Sequence, residues 1–88
     1  MTGLLAFQLY RTENVTVDGN VYIARFTKRT DGLEYALFMI DETNTKQWHC
    51  SYSADTAKDF EGETGEALEK HVLEILKGDI QRGVTHAG

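Results

Sequence analysis

The stretch Gln47 to Tyr52 reads QWHCSY and places a tryptophan, a histidine, the only cysteine and a tyrosine within six residues. Cysteine beside histidine could form an activated nucleophile or part of a zinc site, and the two aromatic rings could stack on bases. The alternation of a strand works against the first of these. Neighbouring side chains point to opposite faces, so His49 cannot activate Cys50 from the next position. Trp48, Tyr52 and Leu37, the neighbours expected around the thiol, do not make the electropositive, accessible site that a reactive cysteine needs, and Cys50 reads as a small core hydrophobe. A zinc set of Cys50, His49, His71 and His86 lacks the short paired spacings that hold the metal. The run DFEGETGE alternates acids at Asp59, Glu61, Glu63 and Glu66 in the manner of a calcium loop. Counted from Asp59, however, Thr64 stands where the sixth-position glycine is required and Lys70 where the bidentate acid is required. Those carboxylates read as a solvated helix junction, and no cofactor or metal is expected. Phosphate loops, Ser/His/Asp sets and poised carboxylate pairs are not recognisable, and so short a chain has little room for a pocket, so no enzyme is expected.

The elements that would carry these residues are marked by turns. Asp18-Gly19 and Asp31-Gly32 lie between runs rich in Val, Ile, Tyr and Phe, the pattern of tight hairpins. Strands are expected near Leu4 to Tyr10, with an irregular extension to Val17, then Val21 to Lys28 and Leu33 to Ile40. A turn through DETNTK leads to a fourth strand at Lys46 to Tyr52. From Ser53 the period becomes helical. Ser53 or Asp55 caps a short helix ending near Phe60, and Gly62 with Gly65 separates it from a longer helix capped by Thr64. Leu68, Val72, Ile75 and Leu76 form its apolar stripe, and Lys77 with Gly78 ends it. The expected class is α+β: a four-stranded antiparallel meander followed by one short and one longer helix packed on one sheet face. Residues 1 to 80 form one domain in this reading, and 81 to 88 a frayed tail.

A two-residue turn at Asp31-Gly32 pairs Phe26 with Leu37, Ala24 with Met39 and Ile23 with Ile40. A four-residue loop then pairs Met39 with Trp48, Phe38 with His49 and Leu37 with Cys50, and both registers match like with like. One face carries Leu5, Phe7, Leu9, Tyr22, Ala24, Phe26, Tyr35, Leu37, Met39, Trp48, Cys50 and Tyr52 and is the expected core face. Such a sheet presents roughly 400 Å² per face, and a helix of about fourteen residues shadows roughly 200 Å². Two helices can cover only one face. The opposite face holds Tyr10, Ile23, Phe38 and Ile40 with Arg25, Gln47 and His49 around them, and an apolar patch rimmed by polar groups marks an interaction site.

The 88 residues carry a net charge of −5, with 41% hydrophobic and 26% charged residues, a globular composition. Residues 1–50 hold five Lys/Arg against six Asp/Glu, and residues 51–88 four against eight, so the acidity belongs to the second half. That balance disfavours nucleic acid and anionic membranes as partners. The opening MTGLLAFQLYRTENV has too short an apolar run for a signal peptide or a span, and one cysteine cannot pair within the chain, so a cytoplasmic protein is expected. The reading favoured by these features is a non-catalytic protein-binding module. Its working residues would be Tyr10, Ile23, Arg25, Phe38, Ile40 and His49, binding another protein or a second copy as a homodimer. The alternative is an acidic inhibitor or regulator, of the phage counter-defence type for example. It would present Asp55, Asp59, Glu61, Glu63, Glu66 and Glu69 to a basic or nucleic-acid-binding protein. Single-strand nucleic-acid binding through Tyr10, Phe38, Arg25, Lys28 and Arg29 is disfavoured by the overall charge.

Overall fold

The computed structural model describes residues 6–83. Leu4 and Leu5, placed above at the start of the first strand, lie outside the described residues, as does the tail from residue 84, including His86. The elements run β1 (Phe7–Val17), β2 (Asn20–Arg29), β3 (Glu34–Asp41), β4 (Gln47–Ser53), α1 (Ala54–Thr64) and α2 (Leu68–Gln81). The strands form one antiparallel sheet in the order β1-β2-β3-β4. Both helices lie on the same side of it, giving the expected α+β layout.

The turns explain why the registers were legible. Asp18 and Gly19 both have positive φ, 51° and 82°, the conformation that matches the twist of two paired strands and that glycine adopts without steric cost. The second hairpin turns through four residues, closed by the Gly32 N–H donating to the Arg29 carbonyl at 2.8 Å. Leu33 therefore belongs to the turn, 62% exposed, and not to β3. A four-residue loop between Arg29 and Glu34 leaves the same register as a two-residue one between Thr30 and Leu33. Phe26 still meets Leu37, Ala24 meets Met39 and Ile23 meets Ile40.

The third hairpin is organised by one carboxylate. Asp41 accepts the backbone N–H groups of Lys46 at 3.0 Å and Thr45 at 2.8 Å, and the hydroxyls of Thr43 and Thr45. These donors, the Lys46 N–H foremost, stabilise the charged form and lower the Asp41 pKa from 3.8 to about 2. A depressed carboxylate pKa means that the loop's contribution to stability is complete above pH 3.8 and lost as the pH falls through about 2. Urea melts of the wild type and of Asp41→Asn are therefore expected to differ by a constant amount near neutrality and to converge between those limits. A gap that stays constant down to the lower limit would contradict the role assigned to this side chain.

The helices depart from their expected boundaries. Ser53 caps α1 through its Oγ, which accepts the Thr56 N–H at 3.0 Å. The helix then passes through Gly62 and stops only at Gly65, whose φ of 75° is the left-handed cap. Thr64 does not cap α2. Its hydroxyl donates to the Phe60 carbonyl at 2.8 Å and accepts the Glu66 N–H at 3.1 Å, and Ala67 occupies the N-cap of α2. Gly78 lies inside α2, which continues to Gln81, the first residue of the expected tail. A single glycine lowers helix stability by about 1 kcal/mol, which packing of an apolar face readily offsets. A Cβ at Gly62 would meet nothing within 4 Å. Gly62→Ala is thus expected to raise stability by about 0.5 to 1 kcal/mol, read as a higher urea midpoint at unchanged slope.

The core lies between the sheet and the helices. Val15, Val17, Ala24, Phe26, Leu37, Met39 and Trp48 from the strands meet Leu68, Val72 and Leu76 from α2, with Ala57, Phe60, Leu73 and Ile80 packed against them. Ile75, counted in the stripe above, is 45% exposed, and Leu73 and Ile80 take its place. At about 100° per residue the buried face centres near Leu76, with Val72 and Ile80 about 40° to either side, and Ile75, about 100° from Leu76, falls at its rim.

Candidate protein-binding face

The helices leave the second sheet face uncovered. Ile23 and Phe38 are half-buried there, and Arg25 and His49 are exposed. Arg25 pairs across the strands with Phe38, and Phe38 with His49, whose ring lies 6.1 Å from the phenyl ring. Ile40, expected at the exposed centre, is only 8% accessible, with Ile23 and Gln47 as its cross-strand neighbours. Thr27 is buried as well and donates its hydroxyl to the Ala36 carbonyl at 2.7 Å.

Tyr10 is not on this face, which corrects its assignment above. The β1–β2 register shifts between Leu9 and Arg11: Leu9 meets Thr27, Arg11 meets Phe26, and Tyr10 is the extra residue of a β-bulge. Its ring lies 6.4 Å from Phe26 and from Tyr35 on the helix side, and its hydroxyl donates to Glu69 at 2.8 Å. Burial, followed by the charge of Tyr52, pushes the Tyr10 phenol up. Arg11 follows it onto that side, over the Phe26 ring at 4.2 Å and paired with Glu69 and Glu13.

The same bulge reverses the parity of the preceding residues. Phe7 and Leu9, assigned above to the core, lie on the open face, 40% and 55% exposed. They line a shallow concavity of about 580 Å³ with Thr12, Ile23, Arg25, Thr27, Phe38, Ile40 and Gln47. A one-residue slip moves every side chain beyond it to the other face. The sequence signal was the adjacent apolar pair Leu9-Tyr10, which breaks strict alternation.

Charge is divided between the two sides. Arg29 holds Asp31 at 2.9 Å and Glu34 at 3.8 Å at one end of the open face. Arg25 makes no hydrogen bond or ion pair among the described residues, and no other acid shares its face at the strand positions. Most of the acids lie with the helices. Asp55, Asp59 and Glu63 follow at four-residue spacing on the exposed side of α1, and Glu61 and Glu66 are exposed nearby. Glu69 is half-buried and engaged by Arg11 and Tyr10, which removes it from that acidic surface. The acids of DFEGETGE lie mostly within α1, not at a junction loop.

Cys50 packs on the helix side and is half-buried where full burial was expected. Burial, then the charge of Asp79, pushes its thiol up, away from the thiolate that nucleophilic chemistry uses. His49 faces the other way, and the ring of His71 lies 5.2 Å from Phe60. No group of three His, Cys, Asp or Glu side chains among the described residues is arranged to hold a metal, and no helix there is long and apolar enough to cross a membrane. A thiol reagent is expected to label native Cys50 slowly and the urea-unfolded chain much faster. Equal rates would mean that the helices do not shield it.

Compared with known protein families, curated proteins and solved structures, the chain gives no match in any of the three.

Proposed function

We propose that this chain is a non-catalytic protein-binding module whose working surface is the open sheet face. The observation that carries the reading is the face itself. Phe7, Leu9, Ile23 and Phe38 keep apolar area in water beside Arg25, which has no ion pair among the described residues, while both helices are committed to the other side. Contiguous apolar area rimmed by polar groups is costly to leave exposed and is characteristic of interaction sites. The raised thiol of Cys50 and the shallowness of the concavity favour binding over catalysis.

Amide-exchange footprinting of the chain with a captured partner tests the reading. Protection is expected in β2 and β3 at Ile23, Arg25 and Phe38, with an affinity that changes little with salt because the contacts are mostly apolar. The second reading, an acidic regulator, is favoured by the exposed Asp55, Asp59 and Glu63 stripe, for which no ion pair is found among the described residues. It predicts protection along α1 and steep weakening with salt, and that outcome would displace the sheet face as the working surface.

A further inference from the structure

We infer that the open sheet face takes an amphipathic helix of a partner protein, with a carboxylate among its apolar side chains to meet Arg25. The inference rests on the protein-binding reading above and adds the chemistry of the partner. The first support is electrostatic. Arg25 stands opposite Phe38 within the apolar patch and has no ion pair among the described residues. Covering the patch would desolvate that guanidinium, and a desolvated charge without a partner is strongly unfavourable. The occupant must therefore supply the anion.

A second copy of this chain supplies none in a face-to-face arrangement. Among the described residues the acid at an open-face strand position, Glu34, is held with Asp31 by Arg29, Asp18 and Glu42 lie in hairpin turns at the ends of the sheet, and the other acids lie on the helix side. Two apposed copies would bring together two Arg25 side chains with no carboxylate between them.

The shape favours a helix as the occupant. On its inner side the same sheet is crossed by α2, fourteen residues long, which contacts β4, β3 and β1. The outer side has equal strand length and width, and Phe7, Leu9, Ile23 and Phe38 line its concavity. A helix of about three turns with apolar residues at i, i+3 or i+4, and i+7 would fill it.

A display library of helical peptides, selected on the wild type and on Arg25→Glu, tests the inference, with amide chemical-shift mapping of each recovered peptide. The expected wild-type consensus has an Asp or Glu inside an i, i+3/i+4, i+7 apolar pattern, and it shifts Ile23, Phe38 and Ile40. Its affinity should fall more than about thirtyfold on Arg25→Glu, the loss typical of removing one partner of a desolvated charge pair. Circular dichroism of this surface variant should be unchanged. Peptides that map to the open face but are neutral, extended or indifferent to Arg25→Glu would overturn the inference and leave the protein-binding reading standing. Peptides that map only to α1 would overturn both. Recovery of no binder, or a wild-type dimer that buries Phe38, would also overturn the inference.

Discussion

Trp48→Ala is expected to destabilise the chain by about 3 to 5 kcal/mol, the range for removing a large buried aromatic side chain. Trp48 is 3% exposed in the layer between β4 and the helices. It faces Met39 across the strands and meets the Tyr22 ring edge-on, with centroids 5.6 Å apart and planes at 84°. Truncation removes the apolar area of the indole and leaves a void that the sheet can close only by moving the helices. A domain of this size has a total stability of about 4 to 13 kcal/mol, so the loss is a large part of the total and the urea midpoint is expected to fall steeply. Far-ultraviolet circular dichroism through a urea titration reads the effect without relying on the lost fluorophore. A midpoint within error of the wild type would mean that the core does not lie on the helix side of the sheet.

Phe38→Asp is expected to abolish partner binding while the fold survives, and these two outcomes must be measured together. Phe38 is half-buried on the open face, so its removal costs far less than that of Trp48. The new carboxylate would stand directly across from Arg25, where opposite charges on paired strands contribute a few tenths of a kcal/mol. That pair would engage the Arg25 guanidinium proposed for the partner, remove an aromatic anchor and repel an acidic ligand. Losses of at least about 2 kcal/mol in affinity are characteristic of such central anchors. Binding retained by a folded Phe38→Asp chain would direct attention to α1, where Glu63→Lys reverses the acidic stripe.

The hairpins show how much was legible without a structure. Asp-Gly pairs are local devices whose backbone conformations depend on two residues, and once they set a register, side-chain parity follows along β2, β3 and β4. The placement of Ile23, Arg25, Phe38 and His49 on one face, and of Ala24, Phe26, Met39 and Trp48 on the other, could therefore be read from the chain itself. The length of each helix could not. Gly62 and Gly78 carry real helix penalties; the packing of Ile80 beyond Gly78 carries α2 through that residue, and the Gly65 cap, whose N–H donates to the Glu61 carbonyl, closes α1 beyond Gly62.

Tyr10 marks where tertiary structure decided the site. Nothing in FQLYRTENV alone specifies which residue leaves the ladder. The choice is stabilised by Glu69, far away in sequence, which accepts the Tyr10 hydroxyl and pairs with Arg11, and by Phe26, which carries the Arg11 guanidinium on its ring. The Glu69 contacts exist only once α2 has docked. Because side chains in a strand alternate with period two, that one extra residue moves Phe7 and Leu9 out of the expected core and onto the open face.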